Sequence, residues 1–126
     1  MTDRELLDIA REAAKNAYVP YSKFPVGAAL ECADGTVFTG CNVENAAYGS
    51  TICAERTAIC KAVSEGYRDF KRIAIHGDGQ DYCMPCGSCR QVMSEFSREL
   101  LVICSKAGGD YVSHPLYELM PYSFHF

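Results

Sequence analysis

Two cysteine clusters, each placed where a helix should begin, constrain this chain more than any other feature. The first is Thr51-Ile52-Cys53-Ala54-Glu55-Arg56-Thr57-Ala58, which sets a thiol, a carboxylate and a guanidinium within four consecutive positions; the second is Pro85-Cys86-Gly87-Ser88-Cys89-Arg90-Gln91. Thiols at helix starts meet free backbone N–H groups and the positive end of the helix dipole, which favour thiolates. Cys86 and Cys89 are three apart, so both face one metal, and Cys53 supplies a third thiolate. Zinc with three protein ligands and an open fourth position is the catalytic arrangement, whereas four ligands close the site and make it structural.

Composition narrows the partners. A chain of 126 residues with 48% hydrophobic content holds one domain, residues 1–126, and is too short for two. Its 12 Lys and Arg against 16 Asp and Glu give a net charge of −4, which argues against a nucleic-acid surface and for a small-molecule partner. Met1-Thr2-Asp3-Arg4-Glu5 is charged, and no apolar run approaches the roughly 18 residues a membrane helix needs. A cytoplasmic protein without membrane contact is expected. In that setting the eight cysteines are reduced thiols rather than disulfides.

Local pattern predicts the elements. Thr2-Asp3-Arg4-Glu5 is a capping box, followed by Leu6, Ile9, Ala10, Ala13, Ala14 and Ala17 at helical period. Pro20 and Pro25 bound an ordered loop containing Phe24. Val26 to Cys32 and Thr36 to Val43 read as antiparallel strands joined at Asp34-Gly35, a dipeptide suited to the positive φ angles of a tight turn. A helix from Cys53 to Glu65 stops at Gly66, a strand covers Arg72 to His76, a helix Cys86 to Arg98 and a strand Leu100 to Cys104. Alternating strands and helices imply α/β parallel crossovers. Lys106-Ala107-Gly108-Gly109-Asp110 is too short for a crossover, so the last strand, around Tyr111 to Ser113, is antiparallel. A short helix near Pro115 to Leu119 and an aromatic tail follow.

Glu55 lies two residues after Cys53, in reach of a metal-bound water whose proton affinity the metal lowers. A zinc ligand, one residue, a glutamate, and later Pro-Cys-x-x-Cys form the signature of zinc nucleobase deaminases. Here it reads Cys53-Ala54-Glu55 and Pro85-Cys86-Gly87-Ser88-Cys89. Together with Tyr21-Ser22-Lys23-Phe24-Pro25-Val26-Gly27-Ala28-Ala29 and Gly40-Cys41-Asn42-Val43-Glu44-Asn45-Ala46-Ala47-Tyr48, these motifs make the chain resemble the cytidine deaminase family, in its small all-cysteine zinc form.

The resemblance implies a three-layer α-β-α sandwich around a mixed five-stranded sheet with the last strand antiparallel. It implies one Zn²⁺ per subunit, held by Cys53, Cys86 and Cys89, and Glu55 moving protons to ring nitrogen N3 and then to departing ammonia during attack on C4. Asn42 and Glu44 take the ribose hydroxyls, Phe24 packs on the pyrimidine, and the Ala54 N–H meets the base O2. Tyr48 and Phe124 are the candidates to reach neighbouring sites in a homotetramer with shared active sites. Relatives acting on adenosine in tRNA place a helix before the last strand, which Gly108-Gly109 argues against. Arg56, one turn after Cys53, offsets the net negative charge of three thiolates on one zinc.

Simpler readings stand beside these. Cys32, Cys41, Cys60 and Cys104 read as small buried hydrophobes. Glu55 alone is a carboxylate complementing a helix dipole, and Asn42 with Glu44 an exposed strand face. Cys83 is the rival ligand, since a fourth thiolate would make a non-catalytic zinc-stapled binding module; Pro85 keeps Met84 extended and directs Cys83 away. The leading expectation is hydrolysis of cytidine, and of deoxycytidine, to uridine or deoxyuridine and ammonia in pyrimidine salvage. A deaminase of a modified cytosine nucleoside is the other alternative.

Overall fold

A computed structural model describes residues 1–126. The elements are α1 (Asp3–Ala14), β1 (Val26–Cys32), β2 (Val37–Cys41), a 3-10 turn (Tyr48–Ser50), α2 (Ala54–Ser64), β3 (Phe70–Gly77), α3 (Gly87–Phe96), β4 (Leu101–Ser105), β5 (Tyr111–Pro115) and α4 (Leu116–Leu119). Five strands form one sheet in the order β2-β1-β3-β4-β5. β1 is antiparallel to both β2 and β3, so those two run parallel and α2 is the crossover between them. β3 and β4 are parallel, joined through α3, and β5 returns antiparallel to β4. The expected mixed sheet with an antiparallel last strand is the observed one.

Side-chain alternation along the strands separates two cores. Ala29 of β1, Ala74 of β3 and Ile103 of β4 face α1 and pack with its Leu6, Leu7 and Ala10. Their neighbours Ala28, Leu30, Ile73, Ile75, Val102 and Cys104 face the opposite side, against Ala58, Ile59 and Ala62 of α2, Met93 of α3 and Leu116 of α4. Helices therefore cover both faces. The capping box of α1 is formed both ways, Thr2 Oγ1 accepting from Glu5 N at 3.1 Å and Glu5 Oε1 from Thr2 N at 3.1 Å. Leu7 joins the buried stripe and the helix stops at Ala14, leaving the expected position Ala17 beyond its end.

Two glycines set how closely helices lie on the sheet. A Cβ on Gly27 would fall 1.9 Å from the Ala10 carbonyl, so α1 rests on the β1 backbone. A Cβ on Gly40 would fall 2.4 Å from the Ala54 carbonyl and 2.6 Å from the Ala58 nitrogen. The first turns of α2 thus lie against β2, held also by Thr57 Oγ1 donating to the Cys41 carbonyl at 3.1 Å.

Two local expectations are corrected. The β1–β2 turn has positive φ at Gly35 alone (φ 92°), and Asp34 uses its carboxylate to accept from Thr36 N at 3.0 Å, which pins the loop without a second left-handed residue. Cys60 is exposed and Cys41 half-buried, unlike the buried Cys32 and Cys104, because Cys60 faces outward from α2.

On the α1 face, Arg72 crosses from β3 to Glu31 of β1 (Nε to Oε1, 2.6 Å) and to Asp3 of α1 (Nη1 to Oδ1, 2.6 Å), and donates to the Met1 carbonyl. Glu31 and Arg72 are both buried. Removing one partner of such a pair strands the other charge, at about 3 kcal/mol or more. Glu31→Gln is expected to lower unfolding stability by about that amount at neutral pH. The hydrogen bond from Arg72 holds the Glu31 carboxyl below its ordinary 4.5. A depressed carboxylate stabilises fully above its unfolded value and loses that stability as pH falls through the folded one. Denaturant titrations should therefore show the gap between wild type and variant closing below about pH 4; a gap independent of pH would count against this assignment.

Candidate metal centre

Cys53 and Cys86 are the N-cap residues of α2 and α3, both in extended conformation (ψ 156° and 167°), and neither side chain caps its helix. Their sulfurs turn instead toward each other. Cys89, in the first turn of α3, is fully buried. The three sulfurs lie within 4.8 Å of one another. Sulfurs bound about 2.3 Å from a tetrahedral zinc sit about 3.8 Å apart, and Cys53 Sγ and Cys86 Sγ are separated by 3.8 Å. Size, softness and number of donors thus suit Zn²⁺ with one position left open.

Cys83 stands outside this cluster. Its backbone N–H donates to the Ser105 carbonyl at 2.8 Å, and its thiol lies beside Gly77, where an added Cβ would come within 2.9 Å of the sulfur. β3 and β4 hold it at the strand ends, and burial, followed by the nearby Glu55 and Cys53 charges, pushes the thiol up to about 11.

The electrostatics follow from crowding sulfur at two helix starts. Cys53 is lowered to about 5, first by the hydrogen bond from Cys89, with Arg56 and Cys86 adding to it. Cys89 is raised first by the same bond and then by burial. Arg56 Nη2 lies 3.5 Å from Cys53 Sγ and 3.4 Å from the Thr51 carbonyl, and the contact with Cys53 holds the guanidinium charged. Glu55, next to Ala54 in the first turn of α2, is only 4% exposed. Desolvation, with the Cys53 charge adding to it, raises its carboxyl to about 7. A carboxyl titrating there both holds and releases a proton near neutrality.

Tyr21, Ser22, Glu44, Tyr48 and Thr51 line a cavity of about 340 Å³, linked to the sulfur cluster through the Thr51 carbonyl, which accepts from Arg56. Glu44 Oε1 accepts from Tyr21 N at 3.0 Å and Ser22 N at 3.1 Å; the Ser22 side chain first, and then these backbone bonds, lower its carboxyl. Asn42 accepts from Val26 N and donates to the Phe24 carbonyl, each at 2.9 Å, bracketing Pro25. β2 ends at Cys41, but bridges from Val43 to Tyr18 and Ile52 keep the chain extended. Asn42 and Glu44 consequently both reach the Tyr21 to Val26 segment. The Phe24 ring, on a residue 39% exposed, lies over Gly77 and Gly79, each close enough that a Cβ would contact it.

Of the residues singled out from sequence, Cys53, Ala54, Glu55, Arg56, Cys86 and Cys89 come together at the two helix starts. Glu44 and Tyr48 share the cavity, and Tyr48 packs edge-on against Tyr21 with centroids 5.8 Å apart. Phe124, 66% exposed, is not among the cavity's lining; its ring meets Phe126 and its carbonyl takes a bond from Gln91 Nε2 at 2.9 Å. Tyr21, Ser22 and Thr51 were not assigned roles from sequence. All three lie within the sequence motifs, but Thr51 offers Arg56 only its carbonyl, which carries no residue-type signal.

Comparison with known proteins gives the same answer. A family model described as the cytidine and deoxycytidylate deaminase zinc-binding region matches residues 1–105. The chain is 47% identical over 125 residues to a cytidine deaminase of Sporosarcina psychrophila, covering 98% of this chain and 92% of that protein. The crystal structure of cytidine deaminase from Burkholderia pseudomallei superposes with a TM-score of 0.96 at 46% identity, covering 98% of this chain and all of that one. A more distant likeness, 31% over 130 residues covering 97% and 91% of the two chains, is to a blasticidin-S deaminase of Bacillus cereus. The chain belongs to the zinc-binding cytidine and deoxycytidylate deaminase family.

Proposed function

We propose that residues 1–126 form one cytidine deaminase domain that hydrolyses the C4 amine of cytidine and deoxycytidine, giving uridine or deoxyuridine and ammonia for pyrimidine salvage in the cytoplasm. The observation that carries this reading is the meeting of three thiols at two helix N-caps, with the buried, proton-exchanging Glu55 beside them. Zn²⁺ held by Cys53, Cys86 and Cys89 supplies the Lewis acidity that makes water a nucleophile near neutral pH.

The remaining steps belong to side chains and backbone. Glu55 takes the proton that the water loses and passes it to N3 of the pyrimidine; it then takes the second proton of that water from the oxygen added at C4 and delivers it to the departing amine, so that C4 becomes a carbonyl and ammonia leaves. Its raised proton affinity suits both directions of transfer. The Ala54 N–H, lacking an intrahelical acceptor at the first position of α2, donates to the base O2. Phe24 presents its ring to the pyrimidine. Glu44 keeps Oε2 for a ribose hydroxyl while Oε1 is held by Tyr21 and Ser22. The Asn42 amide retains a second N–H and a second lone pair beyond its bonds to Phe24 and Val26. Arg56 offsets the negative charge that three thiolates leave on the metal.

The homotetramer with shared sites belongs to the same proposal. Tyr48, 75% exposed, and Phe124 present aromatic surface beside the cavity and on the tail, as residues destined for a neighbour's site would. No helix is long and apolar enough to cross a membrane. The position of Cys83 outside the sulfur cluster weighs against a closed, structural zinc site. The higher identity to cytidine deaminase than to blasticidin-S deaminase favours the unmodified nucleoside.

Ammonia release from cytidine, together with zinc content, tests these roles. Glu55→Ala should keep its zinc and lose turnover by about a hundredfold to ten-thousandfold; retained activity would remove Glu55 from the chemistry. Cys83→Ser should hold zinc and turn over as wild type does, and zinc loss in that variant would restore the closed-site reading. Arg56→Gln should lower turnover by about tenfold or more, as expected for a charge within contact distance of the thiolates, with little change in the unfolding midpoint. Unchanged turnover there would refute the charge argument.

A further inference from the structure

We propose that Arg90 is a positioning residue that aims the Cys86 thiol at the metal and ties it to the C-terminal segment. This rests on the zinc reading above but assigns a residue it leaves unused. Arg90 grips Cys86 from both sides: its Nε donates to the Pro85 carbonyl at 2.8 Å, and its backbone N–H donates to the Cys86 carbonyl at 3.0 Å. Its Nη1 reaches across to the Leu119 carbonyl at 2.7 Å, at the end of α4.

The need for such a grip differs among the three thiols. Cys89 is packed inside the core, and its surroundings fix its rotamer. Cys53 is held by Thr57, whose N–H and hydroxyl both donate to its carbonyl, and by the Val43–Ile52 bridge just before it. Cys86 is exposed and its side chain caps nothing. The Pro85 carbonyl takes no backbone hydrogen bond, so the guanidinium sets the plane of the Pro85-Cys86 peptide, and that plane directs the Cys86 Cα–Cβ bond. The other arm is not needed to hold α4, because Leu116 N and Tyr117 N already donate to the Leu100 and Arg98 carbonyls at 2.8 and 2.9 Å. The bond to Leu119 instead couples the ligand loop to the tail that carries Phe124. A planar fork spanning two carbonyls needs arginine rather than lysine.

The test measures zinc dissociation constants by competition with a chromophoric chelator, together with absorption spectra of the cobalt(II)-substituted proteins. Arg90→Gln should raise the zinc dissociation constant about tenfold to hundredfold, the effect expected for a residue orienting a metal ligand, and should alter the cobalt bands. Arg90→Lys, which keeps one arm of the fork, should fall between Gln and wild type; it carries the test if the Gln variant does not fold. Gln91→Ala, which releases only the Phe124 carbonyl, should leave zinc affinity at the wild-type value. Wild-type affinity and spectrum in folded Arg90→Gln, or in Arg90→Lys should Gln not fold, would overturn the proposal, as would an equal loss in Gln91→Ala. Failure of the wild-type protein itself to bind zinc would instead sink the functional reading on which the proposal rests.

Discussion

The contact on which the active region depends is the close approach of α2 to β2 at Gly40. Any side chain there would drive into the Ala54 carbonyl and the Ala58 nitrogen. Without that approach the α2 N-terminus would stand away from the sheet, and Cys53 would not meet the thiols of α3. Converging sulfurs repel once ionised, so the meeting needs compensation as well as geometry. Two helix N-termini contribute positive ends, Arg56 adds a full charge 3.5 Å from Cys53 Sγ, and a divalent cation completes the balance. The backbone contact sets the distance, and the charges make it tolerable.

The same approach explains Glu55. A carboxyl in the first turn of an exposed helix would be ionised and stabilised by the dipole. Pressing α2 onto β2 buries this one to 4% exposure, next to thiolate charge, and both effects oppose ionisation. The usual helix-capping account of such a glutamate therefore loses to desolvation here. One packing contact accounts for both a ligand's position and a proton carrier's affinity, at Cys53 and Glu55, two residues apart.

Much of this was legible in the chain because local chemistry determines it. The capping box at Thr2 to Glu5, the extended run of Val26–Cys32, the short Lys106 to Asp110 return and the two cysteine helix starts each carry their own signal. What was hidden depends on contacts distant in sequence. Thr51 acts through a carbonyl, which no residue type advertises. Cys60 looked like a core residue until the orientation of α2 placed it outside. Asn42 and Glu44 were expected on one strand face; the strand ends before them, and their shared direction comes from the Val43 bridges to Tyr18 and Ile52. Leu7, outside the expected stripe, is buried with Leu6 and Ala10 because α1 lies against Ala29, Ala74 and Ile103 of the sheet.

Strand alternation also separates the work of folding from the work of the site. Gly27, Ala29 and Glu31 of β1 face α1, while Ala28, Leu30 and Cys32 face α2 and α3. The Arg72 network binds the N-terminal segment to two strands on the first face, while the thiols and Glu55 lie at the N-terminal ends of α2 and α3 on the second. A one-residue slip of β1 against β3 would exchange these faces, putting Glu31 among the aliphatic side chains under α2. That error is costly because an unpaired buried carboxylate has no compensation there. The ion pair on the far side of the sheet therefore contributes to the metal centre without touching it, by favouring the β1–β3 register in which Glu31 meets Arg72.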